Sequence, residues 1–223
     1  MHTLYPELTF PDAPAGRPYV FLNMVATIDG KIVSGEPDEP VGDLGSALDH
    51  ATMKVLEAAA DAILIGAGTL RATPVIRYPK ETLRVVVSRS GRVPTDHTFF
   101  TDAPDRAYVA RPPSIHAPWP NVIAVGQNEV DLLELLRCLR SEFNVKRLLC
   151  EGGSELNAQL LALDAVDEIF MTIAPKIKLG RTMPTLAGGD PLPRRSLLEF
   201  DLLSCQPVAS ELYLRYRRRS ERA

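Results

Sequence analysis

Apolar residues follow two rhythms along this chain, short near-continuous runs alternating with stretches where they recur every three or four positions. YVFLNMVAT (19–27) reads as a strand covered on both faces. DAILIG (61–66), LRVVVS (83–88), AYVA (107–110), NVIAVG (121–126) and RLLC (147–150) read as further strands. Between them, Leu48, Ala51, Val55, Leu56 and Ala59 fall on one helical face. Ser46, with Asp49 three residues on, resembles a capping box at the start of that helix. Leu132, Leu136, Leu139 and Phe143 mark a second helix, and a third opens after Gly153. The segment AGTLRATPVIRYPKET is a loop with room for a short helical turn. The rhythm then changes: DEIFMTIAP, EFDLLSC and ELYLRYR are strands with no comparable helix between them. Strand–helix alternation followed by strands alone predicts one α/β sandwich, its sheet mostly parallel with an antiparallel C-terminal edge.

Residues 1–17 are proline-rich and aperiodic and read as an N-terminal arm. Residues 18–218 form a single domain, and 219–223 a basic tail. The long loop IDGKIVSGEPDEPVGDLG (28–45) has the length of a lid or binding loop.

Composition narrows the class. The 223 residues are 45% hydrophobic and 24% charged, as in an ordinary globular domain. A net charge of −3 offers no field for nucleic acid. The segment RYRRRSERA carries five arginines against one glutamate, and a solvated, frayed terminus is expected of it. Binding of nucleic acid through that tail would show steep salt dependence and is not expected of an acidic chain. Cys138, Cys150 and Cys205 are too scattered for a disulfide framework or a zinc site, which fits a reducing cytoplasm. No histidine pair suggests a metal site, and no run approaches the ~20 apolar residues of a membrane span.

Three strand ends carry unusual residues, and ligands of open α/β sheets bind beyond the carboxyl ends of strands. DAILIGAGTLR starts like a dinucleotide fingerprint, with Gly66 and Gly68, but Arg71 stands where the third glycine belongs. Contact with a phosphate and a tight exit from a buried strand both remain open there. Roughly twenty residues further on, where dinucleotide enzymes select their ribose, the chain has Ser88, Arg89 and Ser90 and no acid. That set suits the 2′-phosphate of NADP, although a plain polar turn has the same composition. In LLCEGGSELNAQLL, Gly152 and Gly153 open a helix, where backbone N–H groups and the helix dipole favour a pyrophosphate. Glu151 would repel phosphates, so its place is toward a substrate hydroxyl or amine, unless it is merely a surface acid at a helix start. In VATIDGKI, Ala26 and Thr27 put small side chains beside a flat nicotinamide. Asp29 is either a proton carrier or a turn cap. Cys150 reads as a buried apolar filler.

Taken in order, ATIDGKI, DAILIGAGTLRATP, VVVSRSGRVP, CEGGSELNAQLL and VDEIFMTIAPKIKLG resemble the reductase domain of bacterial riboflavin biosynthesis, from about Arg17 to the last strand. The resemblance implies a dihydrofolate-reductase-like three-layer fold, a homodimer, and reduction of a ribosylamino pyrimidine nucleotide by NADPH. It implies cofactor contacts from Ala26, Thr69, Thr73, Ser88–Arg89 and the segment Gly153, Ser154, Glu155, Leu156 and Asn157, with Glu151 at the substrate. Hydride would pass to an imine carbon, and Glu151, Asp29 or water would deliver the proton. The chain departs from the family pattern where Glu57 replaces an arginine that holds the substrate phosphate. It departs again at Ala72-Thr73-Pro74, where an acidic pair is expected, and in the first loop, which lacks a serine–tryptophan motif. Lys31, Arg71 and Arg77 are the cations available to take over the phosphate. No H-x-E or P-C-x-x-C is present, so zinc-dependent deamination is not expected. Two alternatives stand beside this reading: a reductase of another heterocycle such as a dihydropteridine or dihydrofolate, and a nucleotide-binding module without catalysis.

Overall fold

A computed structural model describes residues 4–116 and 118–219. Strands β1 (Tyr19–Thr27), β2 (Ala62–Gly66), β3 (Leu83–Val87), β4 (Ala107–Arg111), β5 (Val122–Ala124), β6 (Arg147–Cys150) and β7 (Glu168–Ala174) appear where the apolar runs predict them. They are followed by the hairpin β8 (Phe200–Val208) and β9 (Glu211–Arg218). Among the described residues these make one sheet, in the order β5-β4-β3-β2-β6-β1-β7-β9-β8. Every pairing from β5 to β7 is parallel. β9 runs antiparallel to both β7 and β8, so β7 belongs to the parallel set and the antiparallel edge is the final hairpin alone.

Side chains alternate across the sheet, as strand geometry requires. Val20, Leu22, Ala62 and Leu64 face helices α4 (Leu132–Ser141) and α5 (Ser154–Ala162) in one apolar cluster. Phe21, Ile63 and Ile65 face the other way, into a second cluster with Leu56 of α1 (Ala47–Ala59) and Leu70 of α2 (Ala67–Ala72). A short helix α3 (Thr98–Thr101), which no periodicity announces, buries Phe99 and Phe100 in that second cluster. The aperiodic arm joins it too: Phe10 stacks 4.6 Å from Phe21, and Tyr5 meets Phe170 edge-on at 5.2 Å. Aromatic burial thus holds a segment that has no hydrogen-bonding rhythm of its own.

Helix α1 turns a different face inward from the one its apolar residues predict. Asp49, Thr52, Leu56 and Glu57 are buried, while Leu48, Ala51, Val55 and Ala59 are half-buried. Ser46 caps it as expected, accepting from the backbone N–H groups of Leu48 and Asp49. The reciprocal half of the box is not made by Asp49. The Ser46 N–H donates instead to Glu211 of β9 at 2.9 Å, a partner 165 residues away.

The C-terminal arginines are not a loose basic tail as far as they are described. Arg215 and Arg217 clamp the fully buried carboxylate of Glu168, each at 2.8 Å. Arg218 meets Asp164, and Arg219 meets Glu199 and Asp201. These carboxylates occupy the guanidinium groups that a nucleic acid would need. Residues 220–223 lie outside the described residues. Among the described residues no helix is long and apolar enough to cross a membrane.

Candidate active site

The carboxyl ends of β1, β2, β3 and β6 open on one cleft of about 940 Å³, within the size range of small-molecule and cofactor sites. Beyond its last residue, β6 stays tied to β2. Glu151 N–H donates to the Leu64 carbonyl at 3.1 Å, and Gly66 N–H to the Gly152 carbonyl at 2.7 Å. These two bonds carry Glu151 and both glycines to the cleft edge before α5 begins.

The two glycines differ physically. Gly152 has φ +83°, a backbone region that penalises any side chain, and a Cβ there would also meet the Met24 sulfur at 3.3 Å. Gly153 has an ordinary φ of −78° and serves as N-cap of α5 without a capping side chain. It lines the cleft, and a Cβ on it would meet only Thr69 Oγ1, at 3.2 Å. Close approach is therefore the property of Gly153, while Gly152 makes the turn.

Most of the expected cofactor contacts converge. Gly66, Gly68, Thr69 and Thr73 line the cleft from the β2–α2 junction. Ser88, Arg89 and Ser90 line it after β3, and Ser154, Glu155 and Leu156 at the start of α5. Ser88 is buried and its hydroxyl has no hydrogen-bond partner. A buried hydroxyl costs roughly 1–3 kcal/mol unless a water or a ligand atom supplies its partner. The Arg89 side chain is largely exposed, with its guanidinium 3.6 Å from the Glu129 carboxylate on the same wall.

Four expected contacts fall elsewhere. Ala26 packs with Ile32 and Val33 in a small core. Thr27 is buried, and its hydroxyl is engaged by Asp29 and the Lys31 N–H. Beside the glycine turn it is Met24, two residues earlier on β1, that reaches the cleft. Its spacing in an apolar run carries no signal that separates it from core. Gly152 gives its carbonyl to Gly66 and does not line the cleft. Asn157 is fully buried and donates to the Leu186 carbonyl at 2.8 Å, bracing the segment after β7 against α5.

Asp29 takes the turn role. Its carboxylate accepts from Thr27 Oγ1 at 2.6 Å and from the N–H groups of Lys178 and Leu179. The Thr27 hydrogen bond leads in lowering its pKa to about 2, which leaves no proton to give near neutrality. Lys31 and Arg71 do line the cleft, joined by Arg181 from the loop after β7, which the sequence reading did not single out. Arg77 does not line it: its side chain is exposed and lies 3.4 Å from Asp102.

Glu151 lines the cleft in an unusual setting. The Tyr78 hydroxyl donates to its Oε2 at 2.8 Å, while Oε1 is shut from solvent with no partner. Burial first, and then the charge of Glu57, push its pKa up to about 8, against the opposing hydrogen bond from Tyr78 and the charge of Lys54. A carboxyl shifted upward in this way has the property that a general acid needs. Glu57 itself is buried, with both oxygens held by Lys54 Nζ at 2.8 and 2.9 Å. The α1 position that departs from the family resemblance thus holds a carboxylate paired with Lys54.

Such a sheet, with a glycine-lined helix start and the Glu151 carboxyl sharing one cleft at its strand ends, belongs to the dihydrofolate-reductase-like class. The chain is a member of the RibD C-terminal domain family, whose model matches residues 18–214. It is 34% identical over 188 residues to the 2,5-diamino-6-ribosylamino-4(3H)-pyrimidinone 5′-phosphate reductase of Methanothermobacter thermautotrophicus, covering 78% of this chain and 85% of that one. A pyrimidine reductase-like protein of Corynebacterium diphtheriae shares the fold with TM-score 0.76 at 19% identity, covering 92% of this chain and 93% of its own. Dihydrofolate reductase of Enterococcus faecalis does so with TM-score 0.53 at 15% identity, over 91% and 97% of the two chains.

Proposed function

We propose that this chain is a cytoplasmic, NADPH-dependent reductase of riboflavin biosynthesis. Its substrate is 5-amino-6-(5-phosphoribosylamino)uracil or the 2,5-diamino compound named for its Methanothermobacter relative, and its product the ribitylamino form. The observation that carries the reading is a helix N-terminus and a carboxyl of raised pKa lining the same cleft. The residues fit NADPH. Gly153 leaves room for a phosphate at the start of α5, and the orphan hydroxyl of Ser88 awaits an acceptor or donor. Thr69 and Ser154 would flank the pyrophosphate, and Arg89 with Ser90 would take the 2′-phosphate. When bound, the cofactor supplies a hydride to the carbon of the substrate C=N bond. The chain's own part is to hold that bond beside Glu151 and to give its nitrogen a proton, so that C=N becomes CH–NH. Lys31, Arg71 and Arg181 provide positive charge for the substrate phosphate.

A homodimer is part of the same proposal, with exposed Leu202, Leu203 and Leu212 on the final hairpin as an apolar face for it.

NADPH oxidation followed optically against the ribosylaminopyrimidine phosphate, its diamino precursor and dihydrofolate tests the reading. Turnover of either pyrimidine is the expected result. Glu57 standing in place of an arginine favours one rival, a reductase of an unphosphorylated heterocycle, and turnover of dihydrofolate alone would establish it. Tight NADPH binding without oxidation of any of the three would point to a binding module. Arg89→Ala should weaken NADPH by about tenfold, the loss of a charge-assisted contact, and leave NADH unchanged. Equal losses for both coenzymes in a titration would remove Arg89 from the 2′-phosphate.

A further inference from the structure

Tyr78 is held from several sides although it lies in a segment without regular structure. Lys54 Nζ, already bound to Glu57, donates to the Arg77 carbonyl at 3.0 Å. On the other side, the fully buried Arg84 of β3 donates to the Pro79 carbonyl at 3.2 Å and to the Phe99 carbonyl at 3.4 Å. The Arg84 guanidinium also sits 5.7 Å from the centre of the Tyr78 ring, and Phe99 meets the ring edge-on at 6.3 Å. Two cations thus pin the carbonyls immediately before and after this tyrosine. The ring is buried, and its hydroxyl reaches Glu151 Oε2 at 2.8 Å.

Arg84 has no carboxylate partner among its hydrogen bonds, and its Nε is unsatisfied. Burying a guanidinium this way is costly for a fold, and a plain loop does not need it. The contact that the arrangement secures is the one between Tyr78 and Glu151.

We propose that Tyr78 is a positioning residue for the reaction: by donating to Oε2 of Glu151 it fixes the carboxyl group in the orientation from which it passes its proton. The inference rests on the reading of Glu151 as proton donor and adds to it the residue that holds the carboxyl in place. The groups facing Glu151 are Glu57 and Lys54 from α1, Tyr78 from the segment before β3, and Cys150 on its own strand. Lys31 and Arg71 stand on the cleft lining. Two of these act on the Glu151 proton in opposite senses. A donor to the carboxylate stabilises the charged form, and a neighbouring negative charge stabilises the neutral one.

The test uses Tyr78→Phe and Glu57→Gln in the full chain, with two readouts. The first is the infrared carbonyl band of the protonated Glu151 carboxyl, assigned by its disappearance in Glu151→Gln and titrated without any substrate. Its midpoint is expected to move up in Tyr78→Phe and down in Glu57→Gln. Loosened packing alone would not move the two in opposite directions, and an unmoved or lowered midpoint in Tyr78→Phe would overturn the proposal. The second is steady-state turnover of the ribosylaminopyrimidine phosphate. Here Tyr78→Phe is expected to lower kcat by about tenfold through misplacement of the donor, with the KM for NADPH unchanged. An unchanged kcat with normal wild-type activity sinks this proposal alone. A wild-type chain that turns over neither pyrimidine sinks the proposed function and this one with it.

Discussion

Glu151→Gln is expected to lower kcat about a hundredfold near pH 7 while NADPH affinity stays within about twofold, because an amide fills the same space but gives no proton. The wild-type carboxyl has its pKa raised to about 8 by burial and by Glu57. As a proton donor it holds its proton below that value, so the chemical step should fade as pH rises through about 8. The sign for stability is the same. A carboxyl with a folded pKa above its unfolded one binds more protons when folded, so its contribution is fully present below the ordinary glutamate range. It is lost as pH rises toward about 8. Chemical unfolding of Glu151→Gln beside wild type should therefore show the variant gaining relative stability from acid to mildly alkaline pH. A fall in cofactor affinity larger than the fall in kcat would move Glu151 to the cofactor.

Gly153→Val is expected to weaken NADPH by at least about a hundredfold in a chain that still folds, since branched carbons would occupy the space at the helix start that a phosphate needs. Its φ of −78° is one a side chain can adopt, and the Thr69 hydroxyl is the single close neighbour of a new Cβ. Gly152→Val is a useful contrast: at φ +83° and against Met24, it should cost stability first. Circular dichroism and thermal unfolding separate the two effects. Unchanged NADPH affinity in folded Gly153→Val would mean that the phosphates bind elsewhere.

Much of the scaffold was legible because burial on both faces leaves an unambiguous trace. Runs such as AILIG and LRVVV, with helical spacing between them, gave the parallel sheet. The glycine-and-hydroxyl half of the cleft was legible for a related reason. Glycines and short hydroxyls at strand ends have few other uses, and Gly66, Gly68, Thr69, Ser88 and Gly153 do meet there. Ala26 and Thr27 misled because small residues at a strand end look alike whether they border a ligand or a turn. Asp29 was ambiguous in sequence since a turn-capping carboxylate and a proton carrier share one letter; three donors settle it as a cap.

The catalytic side was less legible. The inward face of α1 is polar, so a rule that sends apolar residues inward points to the wrong face and hides Glu57. Tyr78 and Arg84 lie in or beside a stretch that reads as a loop and a strand, with no spacing that links either to Glu151. Arg77 was the tempting cation of that stretch, yet its backbone carbonyl, not its charge, takes part.

Local patterning by itself determined the strands of the parallel sheet and its longer helices, and where a helix would start on bare glycine backbone. Periodicity and backbone sterics act over a few residues, and the chain states them directly. Tertiary structure alone decided that the carboxyl at position 151 has its pKa pushed upward. That property depends on exclusion of water and on charges brought from α1 and from the segment before β3, distances that close only when the sheet does.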